Sequence, residues 1–214
     1  AEDRLTRPRC LRLRIMITVA VANQQDALPL DRRRLRRAVR VILADEGIRQ
    51  GEISVAVVDD AVIRRLHRQY LNRDCPTDVL SFALERGDGS LVGEVVVSAE
   101  TALAAAPRFG WPAEHELLLY VIHGVLHLVG CGDATRRERA EMRRREQGYL
   151  ARLGVQPPPC PPDAPCAIFP ACVSGQAVQQ TREDSVGVKK TGKGRRKLGR
   201  KKRRMRAKIR HRKG

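Results

Sequence analysis

The sequence predicts a single α/β (α+β) domain with a small four-stranded mixed sheet packed by helices, followed by a disordered basic tail at the C-terminus. Between residues 16 and 153, runs of β-branched residues alternate with segments whose apolar residues recur at helical spacing. The proline-rich stretch VQPPPCPPDAPCAIFP then ends this pattern. The last 26 residues contain 16 Lys or Arg residues and no acidic residue, so they cannot bury a core.

These changes in composition divide the chain into four parts. We expect an N-terminal extension over residues 1–15, the folded domain over 16–153, a proline-rich flexible linker over 154–188 and the basic tail over 189–214. The charge follows the same division. The chain carries a net charge of +18, whereas residues 1–188 contain 26 basic and 24 acidic residues and are nearly neutral.

The first half of the domain contains two predicted strand–helix units. The apolar, β-branched run at residues 15–22 predicts the first strand, and Asp31 is a suitable N-cap for the helix that follows. The run EISVAVV at residues 52–58 predicts the second strand. The second helix begins at Asp59 or Asp60.

The second half contains a predicted hairpin and three helices. The runs TDVLSFAL and LVGEVVVS predict the third and fourth strands, which are antiparallel because only the turn RGDGS separates them. Helices are predicted at residues 99–106, 112–128 and 135–153. The predicted order of elements is therefore βαβαββααα.

Two histidines four residues apart mark a candidate metal site. His123 and His127 lie in the most apolar predicted helix, where residues i and i+4 share one face. They are either metal ligands or core histidines bonded to the backbone, and a polar pair in so apolar a segment favours ligands. Gly130 and Gly132 allow the chain to turn back after the helix, so that Asp133 reaches the same ion.

Asp133 is the predicted third ligand. Thr135 and Glu138 stand at capping-box spacing, so the next helix has its own cap and leaves Asp133 available. Two imidazoles and one carboxylate are a known ligand set of catalytic zinc, with the fourth position left for water. We therefore expect one zinc ion per chain, with manganese or another divalent metal as the alternative.

The same residues carry a resemblance to a known family. The stretches HGVLHLVGCGD (123–133), LHRQYLNRDCPTDVLSF (66–82) and GEVVVS (93–98) resemble the YbeY-type endoribonucleases, which are bacterial rRNA maturation factors. The resemblance implies a zinc-dependent endoribonuclease specific for single strands that acts in rRNA maturation and ribosome quality control. It also implies rRNA and the small ribosomal subunit as partners.

Three positions depart from the family pattern. Asp133 stands where the family has its third histidine, and Cys131-Gly132 stands where it has Tyr-Asp. Leu71 stands where the family has an arginine that is thought to help catalysis. Arg73 lies two residues farther along the chain and is the candidate substitute, with the adjacent aspartate as its rival ion-pair partner.

The expected mechanism lacks the glutamate base of H-E-x-x-H zinc enzymes, because Gly124 occupies that position. A metal-bound water, with its pKa lowered toward ~7, can attack the RNA phosphodiester directly. A nearby cation would offset the charge that builds on the phosphate. His123, as a ligand of that metal, and Arg73, as that cation, are therefore the candidate catalytic residues.

The basic tail is expected to contact nucleic acid through phosphates. Aromatic residues make up only 3% of the chain, so base stacking is not the expected mode. The densest run supplies the candidate RNA-binding residues Lys201, Lys202, Arg203, Arg204, Arg206, Lys208 and Arg210.

The expected location is the cytoplasm, without membrane association. No apolar run reaches the ~18 residues that a membrane helix needs. The stretch RPRCLRLRIMITVAVANQQ has features of a signal peptide, but it equally suits a first β-strand.

Other functions stay open at this point. A non-catalytic ribosome- or RNA-binding factor with a structural metal is favoured by Leu71 and the basic tail. A metallopeptidase is disfavoured by Gly124, which replaces the glutamate base. An iron oxygenase with two histidines and one carboxylate is the remote alternative, because no cofactor or substrate motif accompanies the ligands.

Deleting residues 189–214 should weaken RNA binding and flatten its salt dependence, because these residues would supply the phosphate contacts. The fold should be retained, since so charged a segment cannot join the core. Titration of a labelled RNA at several salt concentrations measures both effects. Unchanged affinity at low and moderate salt would contradict this expectation.

Overall fold

The computed structural model describes residues 16–156. The predicted N-terminal extension, the basic tail and almost all of the linker lie outside the described residues. The candidate RNA-binding residues of the tail lie outside them as well.

The sheet has four strands: β1 (Met16–Gln24), β2 (Gln50–Val58), β3 (Val79–Gly87) and β4 (Ser90–Ser98). Their order across the sheet is β1-β2-β4-β3. The three strands β1, β2 and β4 are parallel, and β3 pairs antiparallel with β4 at one edge. The predicted mixed four-stranded sheet is confirmed. Both hairpin strands extend farther into the predicted turn than expected, because cross-strand pairing continues to Gly87 and Ser90.

Five helices complete the predicted order βαβαββααα: α1 (Arg32–Asp45), α2 (Asp60–Leu71), α3 (Ala99–Phe109), α4 (Ala113–Leu128) and α5 (Arg136–Arg152). The third helix runs three residues beyond the predicted end. It includes Pro107 and stops where Gly110 adopts a left-handed conformation with φ of 66°.

The predicted caps are present. The Asp31 carboxylate accepts hydrogen bonds from the backbone N–H groups of Arg33 and Arg34. Of the two candidate starts of α2, Asp59 is the cap, since its carboxylate accepts from the Val62 N–H at 2.6 Å. Thr135 begins α5 with the expected reciprocal capping box.

The sheet is covered unequally on its two faces. The larger core contains residues of α1, α4 and α5 together with one face of the strands. A smaller cluster lies beneath α2 on the other face. Helix α4 is buried along 13 of its 16 residues. Even so, no helix in residues 16–156 combines the length and apolar character needed to cross a membrane.

Gly124 allows α4 to approach the sheet closely. A Cβ atom at this position would lie 2.6 Å from Val95 Cγ1 and 2.9 Å from both Ser81 Oγ and Val79 Cγ2. The Ser81 hydroxyl donates a hydrogen bond of 3.0 Å to the Gly124 carbonyl, which joins α4 directly to β3. The glycine therefore sets the depth at which the adjacent His123 is held.

Gly124→Ala should destabilise the protein by about 1–3 kcal/mol, because the added methyl group overpacks the contact between α4 and the sheet. Gly148→Ala in α5 is the matched control. Nothing lies within 4 Å of a Cβ at that position, so the higher helix propensity of alanine should stabilise the protein by about 0.5–1 kcal/mol. Urea unfolding measures both changes, and equal stability of the two variants would contradict the packing argument.

Candidate metal centre

His123 and His127 face each other inside the protein. They lie one turn apart on α4, and their exposed fractions are 2% and 5%. Their Nε2 atoms are 2.9 Å apart. The Nδ1 atom of His123 lies 2.6 Å from Glu146 Oε1, and the Nδ1 atom of His127 lies 2.9 Å from the Cys131 carbonyl oxygen. Each imidazole is thus oriented through the nitrogen that points away from its partner.

These contacts determine which nitrogen carries a proton in each neutral imidazole. A carboxylate and a carbonyl only accept hydrogen bonds, so both Nδ1 atoms act as donors. In neutral rings the two Nε2 atoms then present lone pairs to one point, which is favourable when His123 carries a second proton and donates it to His127 Nε2, or when a metal ion binds both nitrogens. Metal-binding histidines commonly have this second hydrogen bond to a carboxylate or carbonyl. The arrangement therefore fits a divalent metal ion.

Asp133 completes the group. Its Oδ2 atom lies 3.7 Å from His127 Nε2, and one ligand atom from each of the three residues lies within 4.8 Å of the other two. Gly130, with φ of 96°, turns the chain after α4, and the Cys131 N–H then bonds to the Leu126 carbonyl. The structure thus brings together the three residues that the sequence predicts as ligands.

The surroundings shift the pKa values of the three residues in different ways. Burial alone would lower the pKa of His123, but the hydrogen bond and charge of Glu146 raise it above the ordinary value. Burial and the neighbouring His123 lower the pKa of His127 to about 3. Burial raises the pKa of Asp133. A metal ion must therefore displace a proton from His123, and its affinity falls as the pH falls.

Sequence reasoning missed Glu146, which orients His123 from α5. The residue is 4% exposed and lies in the buried stripe that also contains Met142, Tyr149 and Leu150. A glutamate at an apolar position of a helix was the available signal. Its partner could not be named because the two residues are 23 positions apart and belong to different helices.

Asp78 is a second buried carboxylate that sequence reasoning missed. Its Oδ1 atom accepts hydrogen bonds from Thr77 Oγ1 and from the Val79 N–H. Its Oδ2 atom is buried without a hydrogen-bond partner among the described residues. Burial raises the pKa of Asp78, and the charge of His123 opposes that rise. Burial therefore favours the neutral form of Asp78, which lies near His123 without belonging to the ligand group.

The region around the missing family arginine differs from the sequence expectation in one detail. The Arg73 side chain is exposed, and the expected rival Asp74 instead forms an ion pair of 2.9 Å with Arg64. Within residues 16–156, Arg73 forms no side-chain ion pair. Leu71 packs against the small apolar cluster beneath α2. The residue in the arginine position therefore has a packing role.

Two other arginines contact the loop that carries Asp133. Arg139 donates to the carbonyls of Asp133 and Ala134 at 3.1 and 2.7 Å. Arg86 donates to the Val129 carbonyl at 3.0 Å. No sequence pattern indicates either contact, because both depend on how α5 and β3 pack around the loop.

The fold and this cluster define a single α+β domain with a candidate site for one divalent metal ion. A sequence model of the family described as Endoribonuclease YbeY matches residues 20–154, and the chain belongs to that family.

Relatives named Endoribonuclease YbeY cover most of the described domain. The protein from Rhodopirellula baltica is 40% identical over 129 residues, which are 59% of this chain and 66% of the relative. The protein from Syntrophus aciditrophicus is 37% identical over 151 residues, which are 67% of this chain and 94% of the relative. A solution structure from Thermotoga maritima is 26% identical, covers 64% of this chain and 89% of its own, and gives a TM-score of 0.46.

Asp133→Ala should lower metal affinity by at least ~10-fold, because removal of a ligand should cost no less than the 10–100-fold typical of a ligand's hydrogen-bond partner. Asp133→His should retain binding, since it restores a third imidazole. Competition with a chromogenic chelator measures both affinities.

Thr135→Ala is the matched control two residues away. It should retain metal affinity and cost roughly 1 kcal/mol of stability through the lost helix cap. If Asp133→Ala bound metal like the wild type while losing helix stability, Asp133 would be a structural turn residue and the third ligand would lie elsewhere.

Proposed function

We propose that this protein is a metal-dependent endoribonuclease that cleaves single-stranded RNA during rRNA maturation and ribosome quality control. The observation that carries the proposal is the convergence of His123 Nε2, His127 Nε2 and an Asp133 oxygen on one point, in a chain of the Endoribonuclease YbeY family. The relatives are named as endoribonucleases, and the cluster of His123, His127 and Asp133 is the candidate site for this activity.

The three residues would hold one metal ion, for which we propose zinc. A bound zinc ion supplies a Lewis acid and lowers the pKa of a coordinated water toward neutrality. Asp133 replaces a neutral imidazole with an anionic oxygen, which suits harder ions such as manganese better than a third histidine does.

Residues around the cluster orient its ligands and determine their surroundings. Glu146 and the Cys131 carbonyl fix the two imidazole rings. Gly124 provides no side-chain base beside His123, so a base is not expected from the position that it holds in H-E-x-x-H enzymes. The burial of both histidines keeps the nitrogen atoms out of bulk water, where their attraction to a cation would be weaker.

A cation is needed to offset the charge that builds on the phosphate during cleavage. Arg73 is the proposed residue, and its exposed guanidinium has no ion-pair partner among residues 16–156. Arg139 is a second candidate, because its guanidinium is already held against the Asp133 backbone.

The proposed partners are rRNA and the small ribosomal subunit, and the proposed compartment is the cytoplasm. Residues of the basic tail, from Lys201 to Arg210, are proposed to add phosphate contacts.

A non-catalytic RNA-binding factor with a structural metal is the second candidate. Leu71 favours it, because an apolar packing residue stands where the family has an arginine. Under this alternative the metal would stabilise the turn after α4 and no RNA would be cut.

His123→Ala should lose both bound metal and RNA cleavage, with cleavage falling by more than about 100-fold, because the loss of a ligand exceeds the loss of a ligand's partner. His115→Ala on the same helix is the control, since His115 makes an edge-to-face contact with Trp111 outside the cluster. Elemental analysis of the purified full chain should give about one divalent metal per chain, and a labelled single-stranded RNA reports cleavage.

The two candidate functions give different results in this experiment. Metal loss without any cleavage activity in the wild type would support the non-catalytic factor. Cleavage that persists in His123→Ala would show that the cluster is not the active site.

A further inference from the structure

Helix α1 presents an uninterrupted cationic surface. Its buried residues, from Leu35 to Leu43, face the core. The outer side carries the exposed Arg33, Arg37 and Arg40. We call these three, together with Arg32 at the N-terminal end and the half-buried Arg36 on the flank, the α1 arginine face. Arg34 is not part of it, because its guanidinium donates to the Leu153 carbonyl.

No carboxylate in residues 16–156 forms an ion pair with any residue of the α1 arginine face. Some exposed arginines elsewhere in residues 16–156 are ion-paired, although Arg65, Arg73 and Arg108 have no ion pair among these residues. Arg64 pairs with Asp74, Arg144 with Glu141 and Arg152 with Asp45. The acidic residues closest in sequence to the face are engaged elsewhere, since Asp31 caps the helix and Asp45 binds Arg152.

The arrangement opposes the stability of the helix itself. Three arginines occupy the first turn, where the helix dipole disfavours cations, and that turn contains no acidic residue. The pairs Arg32–Arg36, Arg33–Arg37 and Arg36–Arg40 place like charges at i and i+4, which is also unfavourable. Local conflicts of this kind are expected where a segment serves a function. An external polyanion would relieve them.

The C-terminal end of α1 lies beside the loop that leads from α4 to Asp133. Glu46, at the C-cap, pairs with Arg145 Nη1 at 2.8 Å, and the same nitrogen lies 3.2 Å from Cys131 Sγ. Glu46 also lines a cavity of about 310 Å³ together with Gly130 to Gly132. From Glu46, α1 extends past Arg40 after about 9 Å and past Arg33 after about 20 Å, at 1.5 Å per residue.

We propose that the α1 arginine face binds the phosphate backbone of the single-stranded RNA substrate at a distance from the scissile bond. The inference rests on the proposed ribonuclease function and extends it. The planar guanidinium groups suit bidentate contacts to phosphate. The strand would pass the metal centre at the C-terminal end of α1 and continue toward its N-terminus.

The composition of the face favours RNA over an acidic protein. Interfaces between proteins usually have an apolar centre surrounded by a polar rim. The exposed large apolar residues of the described domain are Met16, Leu84 and Leu103, and none of them belongs to α1. The face also contains no aromatic residue, so it would contact phosphates and not stack on bases.

The test removes three charges from the face in the full-length chain, as the triple variant Arg33→Gln, Arg37→Gln and Arg40→Gln. Binding of a fluorescein-labelled, unstructured RNA is followed by anisotropy over a range of salt concentrations in the presence of EDTA, which prevents cleavage. The slope of log K against log salt should become shallower by about 2, because each lost contact to single strands contributes ~0.7. Affinity at low salt should fall by at least ~10-fold.

The matched control removes the same charge from the three exposed, ion-paired arginines, as Arg64→Gln, Arg144→Gln and Arg152→Gln. Its salt slope should stay close to that of the wild type. Thermal unfolding should show that the α1 triple variant is at least as stable as the wild type, because it removes like-charge repulsion. Should the triple variant not fold, the single variant Arg37→Gln should still reduce the slope by ~0.7.

Three results would overturn the proposal. The first is a wild-type salt slope in the α1 triple variant. The second is an equal loss of slope in both triple variants, which would mean that only net charge matters. The third is loss of binding to polyglutamate with RNA binding retained, which would assign the face to an acidic protein.

Cleavage assays with metal separate this proposal from the ribonuclease function. The α1 triple variant should raise KM and leave kcat unchanged, since the face does not touch the reacting atoms. A wild type that binds RNA through the face but never cleaves it would contradict the enzyme and support the face. If the wild type cleaves RNA and the α1 triple variant keeps the wild-type salt slope, the result would support the enzyme and contradict the face.

Discussion

The burial of α4 on nearly all sides constrains everything around the candidate site. A polar side chain inside such a helix must find its partners in neighbouring elements, because water cannot reach it. His123 finds Glu146 on α5, and His127 finds the Cys131 carbonyl in the loop that follows. Both contacts use Nδ1, so both Nε2 atoms point to the same place. The two Nε2 atoms thus face each other, in an arrangement that favours a cation, because of how α5 and the following loop pack against α4.

The fold was predictable because it depends on local periodicity, whereas parts of the site were not. The alternation of strand and helix patterns, the Asp31 cap and the spacing of His123 and His127 are all visible within short windows. Strand ends at the hairpin depend on pairing between β3 and β4, which no window contains. Glu146 and Arg139 are likewise defined by the packing of α5 against α4 and its loop. Sequence spacing alone does not specify that packing.

Two of the departures from the family pattern, Leu71 and Asp133, can be related to their surroundings in the structure. Leu71, the last residue of α2, packs against the small apolar cluster, so an arginine there would have to leave an apolar contact or reach around it. Cationic groups lie close to Asp133 all the same, because Arg139 contacts its backbone. Asp133 itself adds negative charge where the family has a neutral ligand. Compared with the family pattern, this site therefore has an additional negative charge in the loop, at Asp133, and a positive charge on α5, at Arg139.

The net charge does not show how the positively charged side chains are distributed over the domain. Residues 1–188 are nearly neutral, yet the α1 arginine face carries five positive charges without an ion-pair partner among residues 16–156. Such segregation costs helix stability and makes sense when the counter-ion arrives with the substrate. Three acidic residues, Asp78, Asp133 and Glu146, lie instead around His123. A phosphate backbone approaching the domain would therefore be repelled near the ligands until a metal ion compensates, and attracted along α1 at all times. Affinity and cleavage would then depend on different charges.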